Sequence, residues 1–365
     1  MAKTNFASWS NDLYNGKLSY NIVGKRRRYY LISLAAIVLC VLVVVLRGGF
    51  NLGIDFKGGA EFTVSGASTT AQEPAVEAVQ SVVAGEVPRV ASVGSNAVRV
   101  QTNTLDDEQE SAVQQALAEA YEVDVAEVSK SSIGASWGSD VSSKALQGMI
   151  GFIVLVSLVM IVYFRNWRLA LSAVISLFHD LILTAGVYAV VGWEVTPATV
   201  IGFLTIAAYS VYDKVVVFDK IRENTADVLS QTRDTYEERS NLAINQTLVR
   251  SINTSVLGLL PVSSILFIGA FILGAGTLRD LALSLFVGMA VGAYSSVFLA
   301  PPLEVTFRLR EADVKEHTAK VLELRERIEA KSDEVSVDDL VTAGGKQLVP
   351  GKHLGTKAQP KRRKR

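Results

Sequence analysis

Several ionisable side chains stand where the sequence is otherwise apolar. In "YSVYDKVVVFDKIREN", Tyr209 to Asn224, Asp213 and Lys214 follow a dozen apolar or small residues, and "LFHDLILTAG" sets His179 and Asp180 inside a second apolar run. An ionised residue at the centre of a spanning helix costs roughly 2.5 to 3.5 kcal/mol, so each needs a chemical reason. Two chemistries suit them: taking up and releasing a proton, or a static hydrogen bond between helices. At about 100° per residue, Gly202, Ile206, Tyr209, Asp213, Val217 and Lys220 share one helix face, with Gly202 admitting a neighbouring helix. Asp213 is therefore expected to face other helices, where burial favours its protonated form and an approaching cation its ionised form. Lys214 lies about 100° around the helix and five residues before Asp219, and is expected to snorkel to the surface. His179 and Asp180 also diverge by about 100°, so at most one points at the Asp213 helix. They are a possible second proton station or equally a structural hydrogen bond, with "INTS", Ile252 to Ser255, offering partners. From position alone, Arg250 reads as a positive anchor at the membrane surface.

These residues must be positioned by membrane-spanning helices. Hydrophobic residues make up 49% of the 365 and are bunched in long runs, with a mean hydropathy of +0.30. About 20 such residues cross a bilayer core. Six spans are expected, at 29–46, 144–164, 169–191, 196–218, 252–274 and 278–303. The first resembles a secretion signal, since "KRRR" precedes it, but no small-x-small cleavage site follows, and it reads as a span.

Basic residues orient the chain. Lys25 to Arg28 hold residues 1–28 in the cytoplasm, and an even number of spans brings residues 304–365, ending in "KRRKR", to the same side. Arg165, Arg168 and the basic residues of a cytoplasmic loop at 219–251 agree, whereas the opposite turn, "GWEVTP", has none. From Arg47 to Lys144 inclusive there are 14 acidic and 6 basic side chains, against a whole-chain net charge of +0. This asymmetry suits an extracytoplasmic segment and points to no specific nucleic acid. Membrane lipid is the expected surrounding, and the terminal basic cluster reads as a solvated tail or a contact for anionic lipid.

Residues 47–143 carry the periodicities of a soluble domain. "AEFTVSG", "PRVASVG", "AVRVQTN" and "VAEVSKSSIG" alternate as strands, with a hairpin around Gly94 to Asn96, while "AQEPAVEAVQSVVAG" and "LDDEQESAVQQALAEAY" have helical spacing. The order βαββαβ predicts a ferredoxin-like α+β domain. The only cysteine, Cys40, falls in the first span, and three scattered histidines give no metal-ligand pattern, so neither cofactor nor metal is expected. In "DFKGG", Asp55 to Gly59, the glycines read as a structural turn where the chain leaves the membrane. Ser284, Gly288, Gly292 and Ser296, four apart, form a packing stripe. Beyond Leu303 the chain is charged, helix-prone and then partly disordered.

Four of these stretches, "NLGIDFKGGAEF", "LFHDLILTAG", "YSVYDKVVVFDKIREN" and "LVRSINTS", together resemble the SecF subunits of the bacterial SecDF protein-export complex, in the resistance-nodulation-division superfamily. The resemblance covers about residues 25 to 303. It implies a non-enzymatic, multi-pass subunit of the bacterial cell membrane that works with SecD, the SecYEG channel and, indirectly, the SecA motor on a secreted unfolded polypeptide. It implies use of the proton-motive force in late steps of export, with Asp213 and Arg250 in a proton relay. Tyr212 and Lys214 occupy places where the family usually has Asn and a small residue, and would modulate Asp213. Gly134-Ala135 stands where a glycine-proline is common. Six spans are half the usual superfamily number, so a partner half is expected. Two other classes remain open: a passive scaffold of the export channel, and an intramembrane aspartyl protease built on Asp180 and Asp213.

Overall fold

The computed structural model describes residues 6–93, 96–272 and 276–332. The tip of the expected hairpin, the end of the fifth expected span and the C-terminal tail with its basic cluster lie outside the described residues.

Among the described residues, six helices are long and apolar enough to cross a membrane. In chain order the helices are α1 (Phe6–Tyr14), α2 (Arg26–Leu46), α3 (Ile54–Lys57), α4 (Glu73–Val82), α5 (Asp107–Ala120), α6 (Ala135–Phe164), α7 (Trp167–Val191), α8 (Pro197–Thr225), α9 (Tyr236–Ser264), α10 (Gly276–Phe298), α11 (Ala300–Arg308) and α12 (Ala312–Ser332). The strands are β1 (Asn51–Leu52), β2 (Gly59–Val64), β3 (Arg89–Val93), β4 (Ala97–Thr102), β5 (Val128–Ile133) and β6 (Glu194–Val195).

Helix ends are set by local chemistry rather than by where hydropathy falls. Thr196 caps α8 by accepting from the Thr199 amide, with Pro197 in the first turn, where its missing N–H costs nothing. Thr235 and Glu238 form a reciprocal capping box that starts α9 at Tyr236. The expected loop 219–251 is accordingly helical over most of its length, because α8 runs on to Thr225 and α9 starts well before its apolar stretch. The π-helical segment Ile265–Ile272 continues α9 just after Pro261. The last expected span is broken at Leu299, ahead of Pro301 and Pro302, into α10 and α11.

α7, α8 and α10 form the centre of the bundle. Gly202, Gly288 and Gly292 lie against Ser284, Ile206 and Ser210 respectively, so the small-residue stripe of α10 packs on α8. An added Cβ on Gly202 would overlap Ser284 Oγ and lie 2.8 Å from Ser284 Cβ. α2 and α6 are peripheral, and Ser33 and Cys40 are the residues of α2 buried in the packing.

Between α2 and α6 the chain builds a four-stranded antiparallel sheet in the order β3-β4-β2-β5. Phe62, Val64, Val98 and Val100 point to one face, where α4 and α5 supply Ala75, Val79, Val113 and Leu117 to a closed core. Asp106 caps α5 through a capping box with Gln109. The opposite face carries Glu61, Arg99 and Gln101 and is turned towards the helical bundle. The short β1 pairs in parallel with β6, between α7 and α8, tying the chain after α2 to the same end of the bundle.

Candidate functional site

The polar centre of the bundle is Asp180. Its Oδ2 accepts hydrogen bonds from Lys214 Nζ at 2.6 Å, Ser210 Oγ at 2.5 Å and Ser295 Oγ at 2.8 Å. Its Oδ1 lies 3.0 Å from His179 Nδ1. These groups come from α7 (His179, Asp180), α8 (Ser210, Lys214) and α10 (Ser295). Asp180 and Lys214 are both 0% exposed. Lys214 Nζ also bonds Ser210 Oγ, one helical turn before it. A buried pair is tolerable only when remaining donors and acceptors are satisfied, and the two serines serve that purpose.

The snorkelling expected of Lys214 is therefore corrected. The 100° that separates it from Asp213 directs it into a seam between α7 and α10, not to the surface. Ser210 and Ser295 escaped the sequence reading altogether, although Ser210 sits one turn from Lys214 and so shares its face. Nor do the "INTS" residues partner Asp180.

His179 is buried beside Asp180, and its ring stacks on Tyr294 at a centroid distance of 6.3 Å. Its Nε2 is sealed from solvent without a hydrogen-bond partner. Asp213 occupies the other polar sector of α8, with Tyr209 one turn before it on the α9 side. Asp213 is 5% exposed and its Oδ2 is buried with no partner. A carboxylate oxygen held that way bears the full cost of lost hydration unless a proton or cation reaches it.

The cation expected to do so is close in register but not engaged. Tyr209 Oη donates to the Thr254 carbonyl of α9 at 2.8 Å. One turn further along each antiparallel helix stand Asp213 and Arg250. Among the described residues, however, no ion pair joins them. Arg250 is instead exposed and lines a cavity of about 860 Å³ with Ser10, Asp219, Lys220 and Gln246, at the end of the bundle away from the sheet. Tyr212 is 58% exposed and points outward from the bundle, away from both polar sectors.

"DFKGG" folds as the single helical turn α3, ended by Gly58 at φ 80° and Gly59 at φ 137°. Gly59 has no room for a side chain, since a Cβ would lie 2.5 Å from the Thr102 carbonyl oxygen. Burial, followed by the neighbouring Glu61, holds the Asp55 carboxyl above its ordinary pKa. Among the described residues no group of three or more His, Cys, Asp or Glu is arranged to hold a metal ion.

Six apolar helices around a sealed ionic network, with an α/β domain at one end, define a multi-span helical membrane protein whose interior carries charge. Residues 112–310 match the family described as "Protein export membrane protein SecD/SecF, C-terminal", and residues 45–68, which include Gly58 and Gly59, match the "SecD/SecF GG Motif". The chain belongs to the SecD/SecF family of protein-export membrane proteins. It is 42% identical over 319 residues to protein translocase subunit SecF of Streptomyces coelicolor, covering 87% of this chain and 83% of that one. Identity to the SecF subunit of Mycobacterium tuberculosis is 40% over 357 residues, with coverage of 95% and 79%. The crystal structure of SecDF from Thermus thermophilus, a translocon-associated membrane protein, superposes with a TM-score of 0.70 at 29% identity, over 80% of this chain and 39% of that one.

Proposed function

We propose that the protein is a SecF-type subunit of the Sec translocase which, with SecD, uses the proton-motive force to promote late steps of protein export across the bacterial cytoplasmic membrane. The observation that carries this reading is the buried Asp180–Lys214 pair, with a second carboxyl, Asp213, sealed one residue from Lys214 and lacking a partner on Oδ2. Charge in a membrane interior is costly, and a site with one satisfied and one unsatisfied carboxyl is suited to a proton that arrives and leaves. In this reading Asp213 and Arg250 form the relay, closing on each other when α8 and α9 shift. His179 and Asp180 are the second station, and Lys214 sets the charge balance between the two carboxyls. Tyr212 faces outward and contributes at most through the lipid-side surface of α8.

The arrangement of basic residues supports an orientation with the chain termini in the cytoplasm and the sheet domain outside. The βαββαβ order and the strand order support a ferredoxin-like extracytoplasmic domain. The SecDF relative supports SecD as partner; SecYEG, the SecA motor, a secreted unfolded polypeptide and membrane lipid follow from the export role. The role is one of transport rather than catalysis. Asp180 and Asp213 share no hydrogen bond and occupy different sectors, which disfavours an aspartyl-protease dyad.

The test is Asp213→Asn in membrane vesicles that export a secretory protein. Stimulation of export by the proton gradient is expected to vanish while export in the absence of a gradient continues. Equal stimulation in Asp213→Asn and wild type refutes the relay and leaves a passive scaffold of the export channel.

A further inference from the structure

The open face of the sheet meets the bundle through polar side chains. It rests through two side chains of β4, each divided between a partner in its own sheet and a partner in the bundle. Arg99 Nε lies 3.5 Å from Glu61 Oε1 on β2, and its Nη1 lies 3.9 Å from Glu194 Oε2 in the α7–α8 connection. Gln101 Nε2 donates to Glu61 Oε2 at 2.8 Å and to Glu194 Oε2 at 3.1 Å. Around them is a cavity of about 240 Å³ that Asp55 and Asp280 also line, so acidic groups outnumber the cation they surround.

Glu194 sits two residues before Thr196, the cap of α8. The Thr196 hydroxyl in turn donates to Asp280 Oδ2 at 3.4 Å, near the start of α10. A single unbroken helix of 29 residues then connects Thr196 to Ser210, Asp213 and Lys214. We infer that Arg99 and Gln101, acting on Glu194, are positioning residues that couple the sheet domain to α8, and that this contact is a releasable latch which opens when the membrane is energised.

On release Gln101 keeps its hydrogen bond to Glu61 and Arg99 keeps the same carboxylate at ion-pair distance, its Nε being sealed from solvent without a hydrogen-bond partner in the closed contact already, while Glu194 passes into water. With the β1–β6 pairing kept, the closed and open arrangements differ by the polar side-chain contacts of Arg99 and Gln101 to Glu194, the kind of interface across which domains move. An axial shift or tilt of α8 changes the position of Glu194 directly, whereas a core-like apolar seat would hold the domain in place. The inference rests on the gradient-coupled reading given above, but its test separates the two.

Thr63→Cys, paired in register with Arg99, with Ala198→Cys, which lines the same cavity from α8, in the full chain co-expressed with SecD, places two thiols across the contact and leaves Glu61, Arg99, Gln101 and Glu194 in place. A cleavable bifunctional maleimide reports its closure in membrane vesicles. The cross-linking yield is expected to fall when a gradient is imposed, by at most about 50-fold, the largest shift that one elementary charge crossing about 100 mV can produce. Cross-linked protein should lose gradient-stimulated export and regain it when the linker is cleaved. Equal yields with and without a gradient overturn the latch, as does normal stimulation in the cross-linked state. If the yield responds to the gradient and still responds in an Asp213→Asn background, the latch stands and the Asp213 relay fails. Ser131→Cys, paired in register with Glu61, with Ala198→Cys provides an independent pair should the first not assemble.

Discussion

Replacing Lys214 by methionine removes the charge while nearly keeping the volume, so the change isolates the ionic contact with Asp180. In the native chain Asp180 Oδ2 receives three hydrogen bonds, one of them from an ammonium at 2.6 Å. In Lys214→Met two serine donors and His179 remain, but the carboxylate charge has no counter-ion, and neither group was exposed to begin with. Breaking a buried pair from one side costs about 3–5 kcal/mol. A second route bounds the figure: a carboxyl of ordinary acidity can escape the penalty by taking up a proton at pH 7, which costs about 4 kcal/mol, three pH units at 1.36 kcal/mol each. The two values agree, so a loss near 4 kcal/mol is expected. Asp180→Leu together with Lys214→Met should restore all but about 1–2 kcal/mol of it, since an apolar replacement of both partners leaves no stranded charge. Ser295 then retains the Gly292 carbonyl as an acceptor. Denaturant titration in mild detergent measures the loss, and thiol labelling of Cys40, buried where α2 meets Gly186 of α7, gives a local readout. A Lys214→Met protein within about 1 kcal/mol of wild type, or a double variant as unstable as the single one, would refute a paired ionic state.

Three further outcomes follow from particular contacts. Gly202→Ala should destabilise the α8–α10 packing by about 1–3 kcal/mol, with partial recovery on adding Ser284→Gly; a neutral Gly202→Ala in the same denaturant titration would count against the close approach. Asp55 is held above its ordinary pKa by burial and then by Glu61, so its ionisation opposes folding: its favourable contribution is complete below the unfolded value and is lost as pH rises through the elevated folded one. Asp55→Asn should flatten that decline in an unfolding series run from pH 4 to 8, and an unchanged profile would contradict the assignment. Asp106→Ala, which removes the side-chain acceptor of the Gln109 amide and leaves the reciprocal bond from the residue-106 N–H to Gln109 Oε1, should cost about 1 kcal/mol, read from the unfolding transition of the full chain, with no change as the failing result.

Much of this architecture is legible residue by residue. Apolar runs of spanning length announce the six long helices, because a lipid solvent demands both length and uninterrupted internal hydrogen bonding. The small residue at Gly202 and the four-residue stripe on α10 signal where two helices approach. Ends were less legible: α9 starts at the Thr235 capping box, whose signal is polar and therefore invisible to hydropathy.

What the sequence by itself determined is direction. The 3.6-residue period makes Tyr209 and Asp213 share one sector of α8, Ser210 and Lys214 the next, and Tyr212 a third. What each sector meets was decided by the tertiary structure alone. Because α8 is enclosed by α7, α9 and α10 but open on the remaining side, two of those sectors are buried while Tyr212 is 58% exposed. The same rotation that would carry a lysine towards water on a peripheral helix carries Lys214 onto Asp180, thirty-four residues away in the chain. Helical phase is a property of local backbone geometry; the identity of a neighbour depends on how many helices surround the axis, and no local pattern encodes that number.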